Sequence, residues 1–344
     1  MKELRIPIIV LNWNGYDDTV ECISSLLMMQ GVDFQVFLID NNSDNSEGQR
    51  LRDLYTDNEI VRVVLSKVNM GFTKGNNYAF NELLAEDYTY IALLNNDTVV
   101  DPFWLKNAID SAQRQDADMV SSKMINYYDR SIMDNAGHFM LNTAEILPIG
   151  HAQPIEKYNA NSINLGACGG AAIYRTKMLR EAGIFDEFFD TGYEDAEYGI
   201  RINLLGYKSI YEPSAKVYHK VSRSIRKVRN EDYVIKIQRN IFYTYVKLLP
   251  LSYILFNLLF ILIKYFFLFI GALISFNLRV IRIHYRTLKA FLFKDLKRAL
   301  AMRNRMKERF DFKGKQSTIN LMKFFFWTDL RRFYLLFSGR PDLS

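Results

Sequence analysis

Asp97 follows an apolar run, Tyr90–Leu94, at the point where the run gives way to Asn95 and Asn96. The run shows no polar alternation, which is typical of a strand buried on both faces of a parallel sheet. Such sheets bind their ligands beyond the carboxyl ends of the strands, so a carboxylate here could hold a metal ion or a phosphate-bearing ligand. Taken alone, this stretch also fits an ordinary turn, because Asn and Asp are common turn residues.

Polar residues follow three further predicted strands in the first half of the chain. The strands are 6–11, 36–39 and 61–65, and the segments rich in Asn, Asp, Gly or Ser that come after them are 12–15, 40–44 and 69–77. Four such ends along one sheet edge would meet in one crevice, which favours a nucleotide or phosphate pocket over four separate turns. These segments contain neither a phosphate-binding P-loop nor a dinucleotide fingerprint.

Three features of the second half are further candidates for chemistry. The paired glycines Gly169 and Gly170 allow a backbone to approach a ligand closely, although tight strand packing would explain them equally well. Asp195 follows Glu194 at the start of a predicted helix, where a carboxylate either caps the helix or faces the crevice and accepts a proton. His219 stands at the end of a short predicted strand, and packing alone would also account for a lone histidine.

The elements that must position these residues alternate between strand and helix. This order predicts an α/β protein with right-handed crossovers and a mostly parallel central sheet. A helix is expected from Pro102, at the first helical position, to about Gln115. Two separate short strands are predicted at Tyr207–Tyr211 and Ala215–Tyr218, and residues 125–165 are interpreted as an insertion or an antiparallel extension.

The composition indicates a globular protein of one large domain or two ordinary ones. The chain has 344 residues, of which 49% are hydrophobic and 24% charged, and this balance excludes a disordered chain. The two cysteines, Cys22 and Cys168, form neither a disulfide framework nor a zinc-ligand spacing, which fits a reducing compartment. The first ten residues lack the apolar core of a signal peptide and are expected to lead into the first strand.

Residues 248–276 are almost wholly apolar apart from Lys264 and a few serines and asparagines. The segment reaches the ~20 residues that a membrane-spanning helix needs. Basic residues flank it on both sides, and the positive-inside rule would keep both flanks in the cytoplasm. A hairpin broken near Lys264, or a helix lying in the membrane interface, is therefore expected in preference to a single crossing. A buried pair of core helices is the alternative.

The charge is split along the chain. Residues 279–344 contain 17 lysines and arginines against 5 aspartates and glutamates, whereas the whole chain has a net charge of only +6. A basic tail suits nucleic acid or an anionic membrane surface. The aromatic and basic clusters at 324–327 and 331–334 favour the membrane, because no nucleic-acid-binding motif accompanies them.

Eight short motifs, in a fixed order over residues 5–220, resemble those of glycosyltransferase family 2. They lie at 10–14, 39–43, 69–76, 94–97, 169–171, 183–187, 193–195 and 217–219. The family has the nucleotide-sugar-binding GT-A fold, and the chain is most similar to its rhamnosyltransferase-like branch of bacterial surface polysaccharide synthesis. The Gln-x-x-Arg-Trp motif of processive synthases is missing, which favours transfer of one sugar or a few.

The resemblance implies a role for each candidate residue. Asn12 and Asp40 would lie along the base and ribose of the donor nucleotide. The complete set of implied donor-binding residues is Asn12, Asn14, Asp40, Asn42, Asn69, Gly71, Asn76 and Asn96. Gly169, Gly170 and Glu194 would bind the acceptor. Asp195 would be the catalytic base that takes the proton of the acceptor hydroxyl.

The resemblance also implies a divalent metal cofactor, Mn²⁺ or Mg²⁺. Asp97 is the last residue of the family's metal-binding Asp-x-Asp motif, whose first position here is Asn95. His219 matches the family's metal-proximal histidine, and an imidazole ligand would favour Mn²⁺. With one carboxylate missing, metal dependence is expected to depend on the donor diphosphate, which supplies further oxygen ligands.

The expected function is that of an inverting glycosyltransferase acting on a nucleotide-sugar donor, dTDP-rhamnose or a UDP-sugar, and a lipid-linked or saccharide acceptor. A sugar nucleotidyltransferase and a non-catalytic membrane-associated protein are the alternatives. We expect a catalytic domain over residues 1–230, a connecting helix and apolar segment over 231–278, and a basic helical tail over 279–344. The expected location is the cytoplasmic face of the cell membrane, without nucleic acid as a partner.

Overall fold

The computed structural model describes residues 5–143, 145–190, 192–220, 230–309 and 325–326. Contacts divide the chain into two compact units. One comprises Met1–His138 and Pro148–Ser222, and the other comprises Phe139–Leu147 and Arg223–Ser344. The first unit contains the strand ends singled out above, and the second contains the apolar segment.

Twelve strands and six α-helices lie among the described residues between 6 and 219, and they alternate over most of the first half of this range. The strands are β1 Ile6–Asn12, β2 Phe34–Asp40, β3 Val61–Leu65, β4 Tyr90–Asn95, β5 Thr98–Val100, β6 Met119–Asn126, β7 Met133–Asn135, β8 His138–Leu141, β9 Ile146–Pro148, β10 Ser162–Ile163, β11 Ala171–Arg175 and β12 Ser209–His219. The helices are α1 Tyr16–Leu27, α2 Glu47–Leu54, α3 Gly71–Leu84, α4 Trp104–Arg114, α5 Thr176–Ala182 and α6 Glu194–Leu204.

The main sheet has the strand order β10-β12-β6-β11-β4-β1-β2-β3. Strands β3, β2, β1 and β4 are parallel neighbours, β11 runs antiparallel between β4 and β6, and β12 runs parallel to β6. Six of the eight strands in this order therefore point the same way, with β5 and β7 pairing antiparallel to β12 and β6, which confirms the predicted mostly parallel α/β sheet. In the strand register, Asn12 pairs with Asp40, and Leu11 pairs with Asn95. The polar residues Asn12, Asp40 and Asn95 therefore end neighbouring strands at one edge of the sheet.

Two apolar layers cover the two faces of this sheet. Along β1, Ile8 and Val10 face one layer, which includes Trp104 of α4, while Ile9 faces the other. The second layer contains four aromatic rings in edge-to-face contact: Phe80, Tyr174, Phe185 and Tyr198. The burial of successive β1 residues on opposite faces explains why the strand sequence is continuously apolar.

The structure departs from two local predictions and bears out a third. Pro102 was predicted at the first helical position, but α4 begins at Trp104, so this boundary is wrong by two residues. The two predicted strands near residues 207–218 form one long strand, β12, with an irregularity between Glu212 and Lys216. Residues 125–165 supply β7, antiparallel to β6, and β10, antiparallel to β12, so the antiparallel extension is confirmed.

The second unit is mainly helical. Its helices are α7 Glu231–Leu248, α8 Leu251–Ile274, α9 Leu278–Ala290 and α10 Leu296–Arg309, with a π-helical turn, Phe291–Asp295, between the last two. Helix α8 continues through Lys264 without interruption, so the predicted hairpin broken at that residue is wrong. Lys264 Nζ lies 2.6 Å from Glu145 Oε1, which neutralises the one charge within the apolar helix.

Helix α8 is the one helix in the described part of the chain that is long and apolar enough to cross a membrane. It has 24 residues and a mean hydropathy of 2.3, and its apolar side chains are largely exposed. Length and composition alone make this a weak indication of membrane association. The aromatic and basic clusters at 324–327 and 331–334 lie outside the described residues, apart from a short strand at Phe325–Phe326.

Candidate functional site

Asn12, at the end of β1, connects two strand ends and the first helix. Its amide nitrogen donates to Asp40 Oδ1 at 2.8 Å, and its amide oxygen accepts a hydrogen bond from Thr19 Oγ1 at 2.8 Å. Asn96 donates to Thr19 Oγ1 at 2.9 Å, with Asn12 Oδ1 at 3.4 Å. Asn12 and Asp40 are buried, so these bonds fix their orientation. The structure thus brings Asn12, Asp40 and Asn96 together.

The loops after β1 and β2 are joined through Asn14 and Asp44. The Asn14 side chain donates to Asp44 Oδ2 at 2.9 Å and accepts from the Asp44 amide at 2.7 Å. Asn14 and Asn42 both have left-handed backbones, with φ of 52° and 59°, a conformation that asparagine tolerates well. The Asn42 side chain is exposed on the outer part of this turn.

Asn41 connects the loop after β2 to residues 69–77, the predicted polar segment that includes the start of α3. The Asn41 side chain donates to Asn69 Oδ1 at 3.0 Å and accepts from the Met70 amide at 2.8 Å. Gly71 begins α3 with a φ of +74°, and a Cβ added at this glycine would lie 3.3 Å from Asp190 O. Asn76 is fully buried one turn later, and its Oδ1 has no hydrogen-bond partner among the described residues. That oxygen could accept a hydrogen bond from a bound ligand.

Asp97 and His219 are brought together at the predicted metal position. His219 Nε2 lies 3.3 Å from Asp97 Oδ1, and His219 Nδ1 lies 2.7 Å from Asp134 Oδ2. Burial alone would lower the pKa of His219, but its hydrogen bonds to Asp134 and Asp97 outweigh burial and raise the pKa to about 10. Burial would raise the pKa of Asp134, yet hydrogen bonds with His151 and His219 hold it well below its usual value.

The donor set at this position fits a divalent cation. A carboxylate on the Nδ1 side of a histidine fixes the ring so that Nε2 can serve as a ligand, and Asp134 holds that position against His219. Asp97 supplies an oxygen and His219 a nitrogen, a combination that suits Mn²⁺ and also accommodates Mg²⁺. Two protein ligands leave most of the coordination sphere for the oxygens of a bound diphosphate and water.

Asp195, in the first turn of α6, lies beside the predicted acceptor glycines. Its Oδ2 accepts from the Gly169 amide at 2.9 Å, and His138 Nε2 lies 3.9 Å from the same oxygen. Glu194 is buried next to it. A Cβ added at Gly170 would lie 2.7 Å from Met124 Cε, so a larger residue here would require the end of the Met124 side chain to move. Gly169, Gly170, Glu194 and Asp195 therefore form one local group.

A glycine contact sets the position of α6. A Cβ on Gly166 would lie 2.7 Å from Gly199 Cα, so the segment before the paired glycines and the helix approach at backbone distance. Asn203 strengthens the contact by donating to Leu165 O and Gly199 O. This close packing keeps the first turn of α6, with Asp195, alongside Gly169.

Three residues of the site were not predicted from the sequence. Asp134 and His138 lie in short strands within the irregular 125–165 stretch, where no periodicity marked them. Lys220 follows His219 directly; its amide donates to Asp97 O at 2.9 Å, and its Nζ lies 2.5 Å from Asp18 Oδ1 and 2.6 Å from Glu21 Oε2. Burial would lower the pKa of Lys220, but the two carboxylates raise it, so the charged lysine fixes the end of β12.

Comparison with known proteins supports the fold and the family. The family described as Glycosyl transferase family 2 matches residues 8–183, about half of the chain. The O-antigen biosynthesis protein RfbC of Myxococcus xanthus is 26% identical over 207 residues, which cover 56% of this chain and 15% of that protein. The chain thus spans only a small part of that relative's length.

Two solved structures share the fold. Staphylococcus aureus TarS residues 1–349 with UDP-GlcNAc has a TM-score of 0.58 and 15% identity, covering 92% of this chain and 89% of that one. The mannosyltransferase PcManGT of Pyrobaculum calidifontis, with GDP-Man and Mn²⁺, has a TM-score of 0.54 and 12% identity, covering 94% and 88%. At these identities the likeness establishes the fold alone, and it confirms the GT-A architecture expected from the motifs.

Proposed function

The chain belongs to glycosyl transferase family 2, and from this membership we propose that it transfers a sugar from a nucleoside-diphosphate donor to an acceptor hydroxyl. One observation carries the proposal. The proposed site residues all lie at the ends of strands or the start of a helix in one α/β unit, whose parallel strands end at a common edge. They are the Asn12–Asp40 pair, the Asp97–His219 pair and Asp195. Ligands of open α/β sheets bind at this edge.

The donor would be bound mainly through amide side chains. Asn12 and Asp40 are buried and hydrogen-bonded to each other, Asn96 joins them through Thr19, and Asn76 Oδ1, which has no partner among the described residues, offers an acceptor. Asn14, Asn42, Asn69 and Gly71 belong to the loops that frame this group. A nucleotide presents hydroxyl and imino donors that match such acceptors, which supports the donor-binding assignment of the complete set.

Asp97 and His219 would hold the divalent metal, with Asp134 orienting His219. When bound, the metal supplies positive charge that stabilises the leaving nucleoside diphosphate. Mn²⁺ is the first choice because of the imidazole ligand, and the Mn²⁺-containing neighbour is consistent with it.

Asp195 would act as the catalytic base. A hydroxyl is a poor nucleophile until a positioned carboxylate accepts its proton. The acceptor oxygen then forms the new bond to the anomeric carbon as the bond to the diphosphate oxygen breaks, and this single displacement inverts the anomeric centre. The Gly169 amide, 2.9 Å from Asp195 Oδ2, holds the carboxylate in place, and Gly170 and Glu194 would contact the acceptor beside it.

The substrates are proposed from chemistry and likeness together. dTDP-rhamnose is the first candidate donor, and UDP-hexoses or UDP-N-acetylhexosamines are the second; the TarS neighbour is described with UDP-GlcNAc. A polysaccharide precursor, saccharide or lipid-linked, is the proposed acceptor, in line with the O-antigen biosynthesis relative. The apolar helix α8 would bring the enzyme to the cytoplasmic face of the membrane, where a lipid-linked acceptor lies.

The alternatives have less support. A sugar nucleotidyltransferase is disfavoured by the family match and by the missing phosphate-binding loop. A non-catalytic protein that retains the fold would bind a nucleotide sugar without turning it over. We propose the division into a catalytic region 1–230, a connecting and apolar region 231–278 and a basic tail 279–344 as the framework for these roles.

The decisive experiment uses the purified full-length protein with a panel of nucleotide sugars, with and without Mn²⁺. We expect one donor to raise the melting temperature in a Mn²⁺-dependent way and to be consumed when an acceptor is supplied. Asp195→Asn should lower turnover by about 10²–10⁴-fold while leaving the donor dissociation constant unchanged. Intact turnover in Asp195→Asn would assign the base elsewhere, and the absence of donor binding across the panel would overturn the proposed function.

A further inference from the structure

His138, Cys168 and Asp195 form a cluster of three metal-ligating side chains that the transfer reaction does not need as a unit. Their ligand atoms, one imidazole nitrogen, the Cys168 sulfur and one carboxylate oxygen, all lie within 4.8 Å of one another. His138 Nε2 and Asp195 Oδ2 are 3.9 Å apart. Tetrahedral zinc, with bonds of about 2.0–2.3 Å, holds its ligand atoms about 3.3–3.8 Å apart, so a small contraction would close the cluster around an ion.

The backbone holds the three residues in place independently of any ligand. The His138 amide donates to Gly166 O at 2.9 Å, and the Leu165 amide donates to His138 O at 2.9 Å, which pairs β8 with the segment before Cys168. The backbone amides of Gly169 and Gly170 contact the other two candidate ligands, Asp195 and Cys168. The Gly169 amide donates to Asp195 Oδ2 at 2.9 Å, and the Gly170 amide contacts Cys168 Sγ at 3.4 Å.

A second observation points to a ligand. His138 is buried, with 10% of its side chain exposed, and its Nδ1 has no hydrogen-bond partner in the part of the chain that the structure describes. The ring therefore lies in a buried place with its polar capacity incompletely used, which ordinarily costs free energy. Coordination of an ion by Nε2, the nitrogen that faces Asp195, would give this buried ring a partner.

We propose that His138, Cys168 and Asp195 form a binding site for a thiophilic divalent cation, Zn²⁺ above all, distinct from the Asp97–His219 position. The donor atoms decide the selectivity. Oxygen and a single imidazole suit Mn²⁺ or Mg²⁺, whereas a thiolate together with imidazole and carboxylate favours Zn²⁺, Co²⁺ or Cd²⁺. Zinc binding displaces the proton of the Cys168 thiol to solvent, and a water or an acceptor group completes the coordination.

Occupation of this site would switch the enzyme off. A zinc ion that takes the lone pair of Asp195 Oδ2 removes the group that accepts the proton of the acceptor hydroxyl. This consequence rests on the proposed function, in which Asp195 is the base, whereas the binding itself does not. Zinc should therefore compete with the acceptor and leave donor binding at the Asp97–His219 position intact.

The test of binding uses Co²⁺ as a spectroscopic stand-in for Zn²⁺ on the full-length protein, with Mn²⁺ present throughout. We expect a thiolate-to-cobalt charge-transfer band that disappears in Cys168→Ala and is displaced by Zn²⁺. Cys22→Ala is the matched control, because Cys22 is the only other cysteine and lies beside Thr98, at 3.8 Å, rather than in the cluster. A band that is absent from the wild type, or that survives in Cys168→Ala, would overturn the site.

The test of inhibition measures turnover against Zn²⁺ concentration. Cys168→Ala should need at least about tenfold more zinc for half-inhibition, in keeping with the loss of one of three ligands, while Cys22→Ala should match the wild type. His138→Asn should shift the zinc response in the same direction as Cys168→Ala. A Cys168-dependent cobalt band without zinc inhibition would overturn the inhibitory role. A protein that binds cobalt but transfers no sugar even without zinc would fail the proposed function while supporting the metal site.

Discussion

At the scale of single residues, His219 shows how the site prepares a metal ligand. The ring lies between two carboxylates, with Asp134 Oδ2 at 2.7 Å from Nδ1 and Asp97 Oδ1 at 3.3 Å from Nε2. Asp134 contributes orientation, because the bond on Nδ1 fixes which nitrogen faces Asp97. Without a cation, the two carboxylates favour the doubly protonated ring, and a cation at Nε2 would replace the proton there.

The role of Asp134 predicts a defect in metal affinity. Asp134→Asn removes the charge that orients His219 and is expected to weaken Mn²⁺ binding by about 10–100-fold. Electron paramagnetic resonance of free Mn²⁺, titrated into protein with nucleoside diphosphate, measures this affinity without reference to turnover. Asp129→Asn is the matched control, since Asp129 lies in the same stretch but is engaged with Ser131. Equal Mn²⁺ affinity in both variants would show that Asp134 does not orient the ligand.

At the scale of elements, the position of Asp195 depends on the packing of α6 against residues 165–166. Gly199 lies in the middle of this helix, where glycine is ordinarily less stable than alanine by about 1 kcal/mol. A Cβ on Gly199 would nevertheless lie 2.9 Å from Leu165 O and 3.2 Å from Gly166 Cα. Both neighbours are backbone atoms, which cannot move aside as the end of a flexible side chain would.

Gly199→Ala is therefore expected to destabilise the protein, although helix propensity alone would predict that alanine stabilises this helix. We expect the free energy of unfolding to fall by about 1–3 kcal/mol, as in other overpacked sites, and turnover to fall because the first turn of α6 moves away from Gly169. Denaturant unfolding and steady-state kinetics measure the two effects. A more stable Gly199→Ala protein would mean that the helix has room at this contact.

The elements also show where sequence reasoning succeeds. The strands β1, β2 and β4 were predicted because burial on both faces makes them almost continuously apolar, and their polar ends stand out against that background. Asp134 and His138 escaped notice because β7 and β8 are three and four residues long, too short for a period to develop. Their place in the site arises from long-range contacts, such as His138 with Gly166 and Asp134 with His219, which local sequence does not encode.

His284, in helix α9 of the second unit, is expected to make the stability of the protein depend on pH. His284 packs edge-to-face against Tyr265, with ring centroids 5.2 Å apart, and its Nδ1 is buried without a partner among the described residues. Burial, together with the nearby Lys264 charge, lowers the pKa of His284 to about 4. Because the folded-state pKa lies below the unfolded value, protonation favours the unfolded chain, and stability is lost as the pH falls below about 6.5.

Between pH 7 and pH 5, protonation of His284 is expected to lower the free energy of unfolding by about 2 kcal/mol. His284→Gln, which carries no titratable proton, should lose less stability than the wild type by that amount over the same interval. Denaturant unfolding at the two pH values gives the difference. Parallel losses in the two proteins would indicate that other groups govern the acid sensitivity of this unit.

At the scale of the whole molecule, the chain combines a sheet with a polar edge and a helical unit with an apolar surface. Four side chains at helical spacing on α8 are about 60% exposed: Leu255, Leu259, Leu262 and Phe266. An exposed apolar face of this extent is typical of a surface that meets a membrane or another protein. The net charge of +12 over residues 279–344 would add attraction to anionic lipids if the helix lies at a bilayer.

The proposed membrane association can be tested without truncating the chain. Replacing Leu259 and Phe266 together by aspartate places two charges on the exposed face, each costing about 2.5–3.5 kcal/mol in the apolar region of a bilayer. We expect the double variant to move from the membrane to the supernatant on fractionation and to lose binding to anionic vesicles. Leu259→Ile with Phe266→Leu is the matched control and should stay in the membrane. Because both side chains are exposed, donor binding should be the same in all three proteins; a double aspartate variant that remains in the membrane would place the anchor outside α8.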